Sequence, residues 1–83
     1  MAKVLQARIY PDESGGYCAS CEVVHAYTQG IGLDETLTNL KEAIALALEG
    51  EDLSDFGLEP GFSLSVTIEI PAAINAWTED FVR

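Results

Sequence analysis

The residues with chemistry to offer are few and sit early in the chain. Cys18 and Cys21 form a Cys-x-x-Cys, and His25 is the single histidine. Such a set can ligate zinc, carry a redox disulfide, or do neither. A structural zinc site needs four ligands, so this trio would need a residue from a second chain. A redox pair needs a helix N-terminus or a cation to lower the thiol pKa, and no helix is predicted at Cys18. On a strand, residues three apart lie about 10 Å from each other at ~3.3 Å per residue. Their side chains point to opposite faces, whereas a disulfide spans less than ~7 Å between Cα atoms. Ordinary strand cysteines are the first reading, with a metal shared across an oligomer and a redox pair behind it. No metal or cofactor is assigned.

Nothing in the sequence sets Ser20 or Cys21 against His25, so a structural or solvated histidine is expected rather than a general base. Paired carboxylates occur at Asp12-Glu13, Asp34-Glu35, Glu51-Asp52 and Glu79-Asp80. All fall in predicted loops or helix ends, where solvated charge belongs. Gly30-Ile31-Gly32 is too short to cradle a phosphate. No dinucleotide fingerprint, P-loop or nucleophile elbow is present. The expectation is a protein that is not an enzyme and has no catalytic residue. A degenerate nuclease would need acids projecting together from strands, and only Glu22 and Glu69 are acids on predicted strands.

Fourteen acidic residues stand against four basic ones, a net charge of −10 over 83 residues. Phosphate binding needs clustered Lys and Arg, so no direct contact with nucleic acid is expected. A basic protein partner that itself binds RNA fits the charge, as does plain solubility. The length predicts one domain. A chain of this size buries only about 60% of its unfolded surface, which makes a homo-dimer or higher oligomer a natural remedy. A hydrophobic fraction of 48% is too high for a disordered chain. No apolar run approaches the ~20 residues of a membrane span, and Val4-Leu5-Gln6-Ala7-Arg8 is too polar for a signal peptide. A cytoplasmic protein without a membrane partner is expected.

The elements that must position these residues read as β-β-β-α-β. Lys3–Tyr10 alternates, with Leu5, Ala7 and Ile9 on one face. Residues 11–16, Pro-Asp-Glu-Ser-Gly-Gly, are turn chemistry, and Tyr17–Val24 is the return strand. Ala26–Ile31 is a shorter third strand. Leu33 to about Glu49 is an amphipathic helix with Leu33, Leu37, Leu40, Ile44 and Leu48 along one face. Gly32 stands at its N-cap and Gly50 at the left-handed C′ position. Leu46 falls on the opposite face, near Glu35, Glu42 and Glu49. Residues 51–61 form an acidic loop whose Leu53, Phe56 and Leu58 fold back over the core edge. Phe62–Ile70 alternates strictly and ends at Pro71, which lacks a ladder donor. Residues 1–71 form the core, and 72–83 a short C-terminal helix or arm carrying Ile74, Trp77 and Phe81.

Several joints of this pattern occur together in one order. Gly16-Tyr17 opens the second strand, Thr28-Gln29-Gly30 precedes the helix, and Leu33, Asp34-Glu35 and Leu37 begin it, with Asn39 and Lys41-Glu42-Ala43 following. Over most of residues 3–50 the chain resembles the core of HicB-like antitoxins. It departs from that pattern at Ile31-Gly32, where a polar cap is usual. It departs again at Val24-His25-Ala26, where a proline-glycine step is usual, and at Thr36, where alanine is usual. The resemblance implies an α+β fold like a trimmed RNase H: an antiparallel three-stranded sheet, one packed helix, and a fourth strand beside the first. It also implies a partner, a small basic toxin that cleaves mRNA. Family members often add a C-terminal DNA-binding module, for which residues 72–83 are too few, so a core-only antitoxin is expected. The alternative is an orphan oligomeric scaffold or small-ligand module with no toxin.

Helix geometry, not the resemblance, supplies the candidate contacts. Glu35, Glu42, Glu49, Glu51 and Asp52 would steer a basic partner, and Leu46 would anchor it. Glu49, Glu51 and Asp52 lie at the negative end of the helix dipole, where carboxylates are mildly unfavourable and a basic partner would relieve them. Ile74, Trp77 and Phe81 are the candidates for an oligomer contact.

Overall fold

Strict alternation places Leu5, Ala7 and Ile9 on the covered side of β1 (Ala2–Pro11), and all three are buried in the computed structural model, which describes residues 1–70. The turn that follows closes where Asp12 N–H donates to Gly16 O at 2.8 Å. It returns the chain as β2 (Tyr17–Cys21), antiparallel to β1 with Ile9 opposite Ala19. β2 is shorter than predicted. A single 3-10 turn, Glu22–Val24, interrupts it, and His25 with φ 57° swings the chain into β3 (Ala26–Gly30). Histidine is among the few non-glycine residues enriched in this left-handed region. The bend therefore survives without the proline-glycine step usual in the resembling family.

Helix α1 (Leu33–Leu48) starts from Gly32 and is followed by Glu49 and then Gly50 at φ 74°. A second 3-10 turn, Leu53–Phe56, is capped by Asp52 and leads into β4 (Leu58–Ile68). Part of the predicted acidic loop is thus ordered turn and strand. Leu58 is fully buried, with Leu53 and Phe56 packed at the core edge. β4 begins earlier than predicted and ends at Ile68, although Glu69 N–H still donates to Ile9 O at 2.9 Å.

The fold is α+β: one four-stranded mixed sheet in the order β3-β2-β1-β4, with one helix. β1, β2 and β3 pair antiparallel and β4 stands beside β1, as expected; the correction is that all four strands form one mixed sheet rather than a three-stranded antiparallel one. The fourth strand is a full member of the same sheet, parallel to β1 with Leu5 opposite Leu64 and Ile9 opposite Ile68. The core joins Leu5, Ile9, Ala19 and Cys21 of the sheet to Leu40 and Ile44 of the helix.

Two further corrections concern the helix and its cover. Leu33, predicted on the core face, is exposed, and Thr36 is fully buried in its place. The buried stripe is Thr36, Leu40 and Ile44, four residues apart and so on one face. The helix packs chiefly on β3 and β2. The apolar face of β4 is consequently covered less than its alternation predicts. Phe62, Leu64 and Val66 are only half-buried, and Ile68 is 43% exposed. No helix among the described residues is long and apolar enough to cross a membrane. The predicted C-terminal helix or arm, with Ile74, Trp77 and Phe81, lies outside the described residues.

Candidate functional site

The helix N-terminus is held to the sheet by a tight set of small residues. Gly30 ends β3 so close to the first turn of α1 that a Cβ there would stand 2.5 Å from Thr36 Oγ1 and 2.9 Å from Thr36 N. A Cβ at Gly16 would stand 2.6 Å from Gly30 O. The buried Thr36 hydroxyl donates to Gly32 O at 2.7 Å, and Asn39 Nδ2 donates to Gln29 O at 2.9 Å. Glu35 accepts from Ile31 N–H at 2.8 Å, tying the first turn of the helix back to the residue before Gly32, which offers no side-chain cap. Gly30 and Asn39 are therefore spent on docking the helix, while Gly16 makes room for the carbonyl of Gly30. Thr36, which departs from the family pattern, belongs to the same junction. Its signal in the sequence was its place four residues before Leu40.

A shallow cleft opens beside this junction, lined by Asp12, Ser14, Tyr17, Ile31 and Glu35 among others. Its two carboxylates are already engaged: Asp12 accepts from the Ser14 hydroxyl, and Glu35 accepts from Ile31 N–H. Among the described residues no cluster of His, Cys, Asp and Glu could hold a metal ion.

The cysteines fall on opposite faces of β2, and both are free. Cys21 is buried on the helix side, where its thiol donates to Gln6 O at 3.4 Å; burial pushes that thiol up from its ordinary pKa. Cys18 is buried on the outer side, where Tyr27 Oη donates to its sulfur at 3.3 Å. That hydrogen bond, with the charge a Cys18 thiolate would carry, pushes the Tyr27 phenol up to about 12. The folded state thus favours the neutral phenol. The associated stability is complete below pH ~10, the ordinary tyrosine value, and is lost as pH rises toward 12. A spectrophotometric titration is expected to show one tyrosine ionising last, and Tyr27→Phe is expected to abolish that latest step. Loss of an earlier step instead would contradict the Tyr27–Cys18 contact.

The outer helix face is the remaining candidate. Glu35, Glu42, Leu46 and Glu49 lie along one stripe, all exposed, with Leu46 70% accessible. Glu51 and Asp52 continue past the helix end and are also exposed. The six are not equivalent. Glu35 is committed to Ile31 N–H, while Asp52 accepts from Ser54 N–H at 3.0 Å and from the Ser54 hydroxyl at 2.9 Å. Those bonds hold the Asp52 carboxyl below its ordinary pKa. Among the described residues Glu42, Glu49 and Glu51 make no such bond, and Leu46 lies exposed between Glu42 and Glu49. On the far side of the sheet Arg8 pairs with Glu69 at 2.7 Å and stacks on Tyr10 at 4.7 Å. No family model matches the chain, and neither does any curated protein or solved structure.

Proposed function

We propose that this chain is a HicB-like antitoxin core, a protein that neutralises a small basic mRNA-cleaving toxin by direct contact. The observation that carries the reading is the outer face of α1. Gly30, Thr36 and Asn39 dock the inner side of the helix, which leaves Leu46 outward as an apolar anchor flanked by the exposed carboxylates of Glu42 and Glu49. A toxin that grips RNA must present a basic surface. An acidic stripe competes for that surface and steers the encounter. The sheet supports the same reading, since β4 lies parallel beside β1, as the trimmed RNase H arrangement requires.

The test is capture with the tagged full chain from its own cells at low salt and at ~0.5 M. Any small basic protein recovered is then assayed for RNA cleavage with and without the chain. Cleavage is expected to stop at equimolar chain, and capture to weaken at high salt, because screening shortens the reach of charge from about 10 Å at 0.1 M to 3 Å at 1 M. Charge reversal at Glu42→Lys and Glu49→Lys together is expected to slow association at low salt by about tenfold or more. Affinity indifferent to both salt and charge reversal would remove the helix face from the reading.

A further inference from the structure

β4 is an edge strand, and its register shows which backbone groups face outward. Ile9 lies opposite Ile68, and its carbonyl accepts from Glu69 N–H at 2.9 Å. Along a strand, residues alternate in the side to which they turn N–H and C=O together. Ser63, Ser65, Thr67 and Glu69 therefore turn theirs to β1, while Phe62, Leu64, Val66 and Ile68 turn theirs away. Nothing among the described residues pairs with that outward set. The same four residues carry the apolar side chains that α1 leaves half-covered.

Long edges are usually guarded by lysine, an in-strand proline, a bulge or a covering element. Between Phe62 and Ile68 there is no ionisable side chain and no proline. In a chain of net charge −10 two copies can approach along this stretch without opposing carboxylates. Glu69, at its end, is already held by Arg8 at 2.7 Å.

We propose that β4 pairs antiparallel with β4 of a second copy of this chain, continuing the sheet across a twofold axis at Ser65. The proposal does not rest on the antitoxin reading. This register satisfies all four outward residues: Phe62 meets the partner's Ile68, and Leu64 meets the partner's Val66. Glu69 then lies opposite the partner's Gly61. Moving the axis to Leu64 would instead set Glu59 against the partner's Glu69, and like charges directly opposite are destabilising. The apolar side chains of both copies join into one strip on the helix side, while Ser63, Ser65 and Thr67 stay on the polar side.

The register is testable in the full-length chain by cross-linking. Ser65 would face its own counterpart in a non-hydrogen-bonded pair, with Cα atoms about 4.5 Å apart. That separation falls inside the roughly 4.4–6.8 Å span of a disulfide. With oxidised glutathione as the oxidant, Ser65→Cys is expected to give a covalent dimer at least tenfold faster than Ser63→Cys, which would face the partner's Thr67. The double variant Ser63→Cys with Thr67→Cys is expected to link. Cys18 and Cys21 are buried and act as silent bystanders. Light scattering on the unmodified chain is expected to give a mass of two chains. A single-chain mass with no Ser65→Cys link overturns the proposal. Equal linking by Ser63→Cys and Ser65→Cys overturns it too, because contact without register is not strand pairing.

Discussion

Gly30→Ala is expected to lower the unfolding midpoint sharply, by the equivalent of about 1–3 kcal/mol, as overpacking of a close-packed junction does. The reason is space, since Gly30 is not among the glycines with positive φ. An added Cβ would stand 2.9 Å from Thr36 N and 3.0 Å from Thr36 Cα, as well as 2.5 Å from Thr36 Oγ1. A side-chain oxygen can rotate away, but backbone atoms in the first turn of a helix cannot. Thr36 N–H is also tied to Gly32 O at 3.0 Å, so relief requires α1 to lift off β3. Adding Thr36→Ala removes the hydroxyl clash and leaves the backbone clash, so it is not expected to restore stability. Denaturant titration is the measurement, with the midpoint falling at unchanged slope. A midpoint equal to that of the parent chain would mean that residues 30–36 yield without cost. The variant also bears on the proposed function, because α1 carries Glu42 and Leu46 and is followed by Glu49.

Leu40→Ala is expected to have the largest effect of any single truncation in the helix. Leu40 is fully buried and joins the helix to the sheet core. Leucine-to-alanine changes in cores cost about 2–5 kcal/mol, through lost transfer energy and the cavity left behind. At ~0.05–0.15 kcal/mol per residue, a chain of 83 residues has about 4–12 kcal/mol in all, so the loss is a large share of its stability. The unfolding midpoint should fall steeply, read by circular dichroism during heating. Leu46→Ala is the matched control. At 70% exposure its truncation should change stability by no more than about 0.5 kcal/mol, while weakening any partner docked on the outer face. Equal destabilisation by the two substitutions would contradict the orientation of α1.

Much of this arrangement is legible from the residues alone, because local periodicity governs it. The two-residue period of Leu5, Ala7 and Ile9 marks the buried face of β1. The helical period separates Leu40 and Ile44 from Leu46, and glycine at 50 supplies the left-handed step that ends α1. The candidate stripe of Glu35, Glu42, Leu46 and Glu49 follows from the same period, so its exposure could be read in advance. Periodicity could not say which carboxylates were already spoken for. Glu35 serves Ile31 N–H and Asp52 serves Ser54, and those are matters of how the chain turns at each helix end.

The sequence by itself determined the number and order of the main elements, the sign of the surface charge and the outward stripe, since each depends on residues within a turn or two of one another. Only the tertiary structure decided where the helix sits along the sheet. That placement buries Thr36, exposes Leu33, and leaves Phe62, Leu64 and Val66 half-covered. It is set by the close approach of Gly30 to Thr36 and by the Asn39 hydrogen bond to Gln29, contacts between separate elements that no local pattern encodes. The place of β4 beside β1 was expected from the resemblance but not from the residues, because the pairing joins the two ends of the described chain and the alternation within either strand is silent about its neighbour.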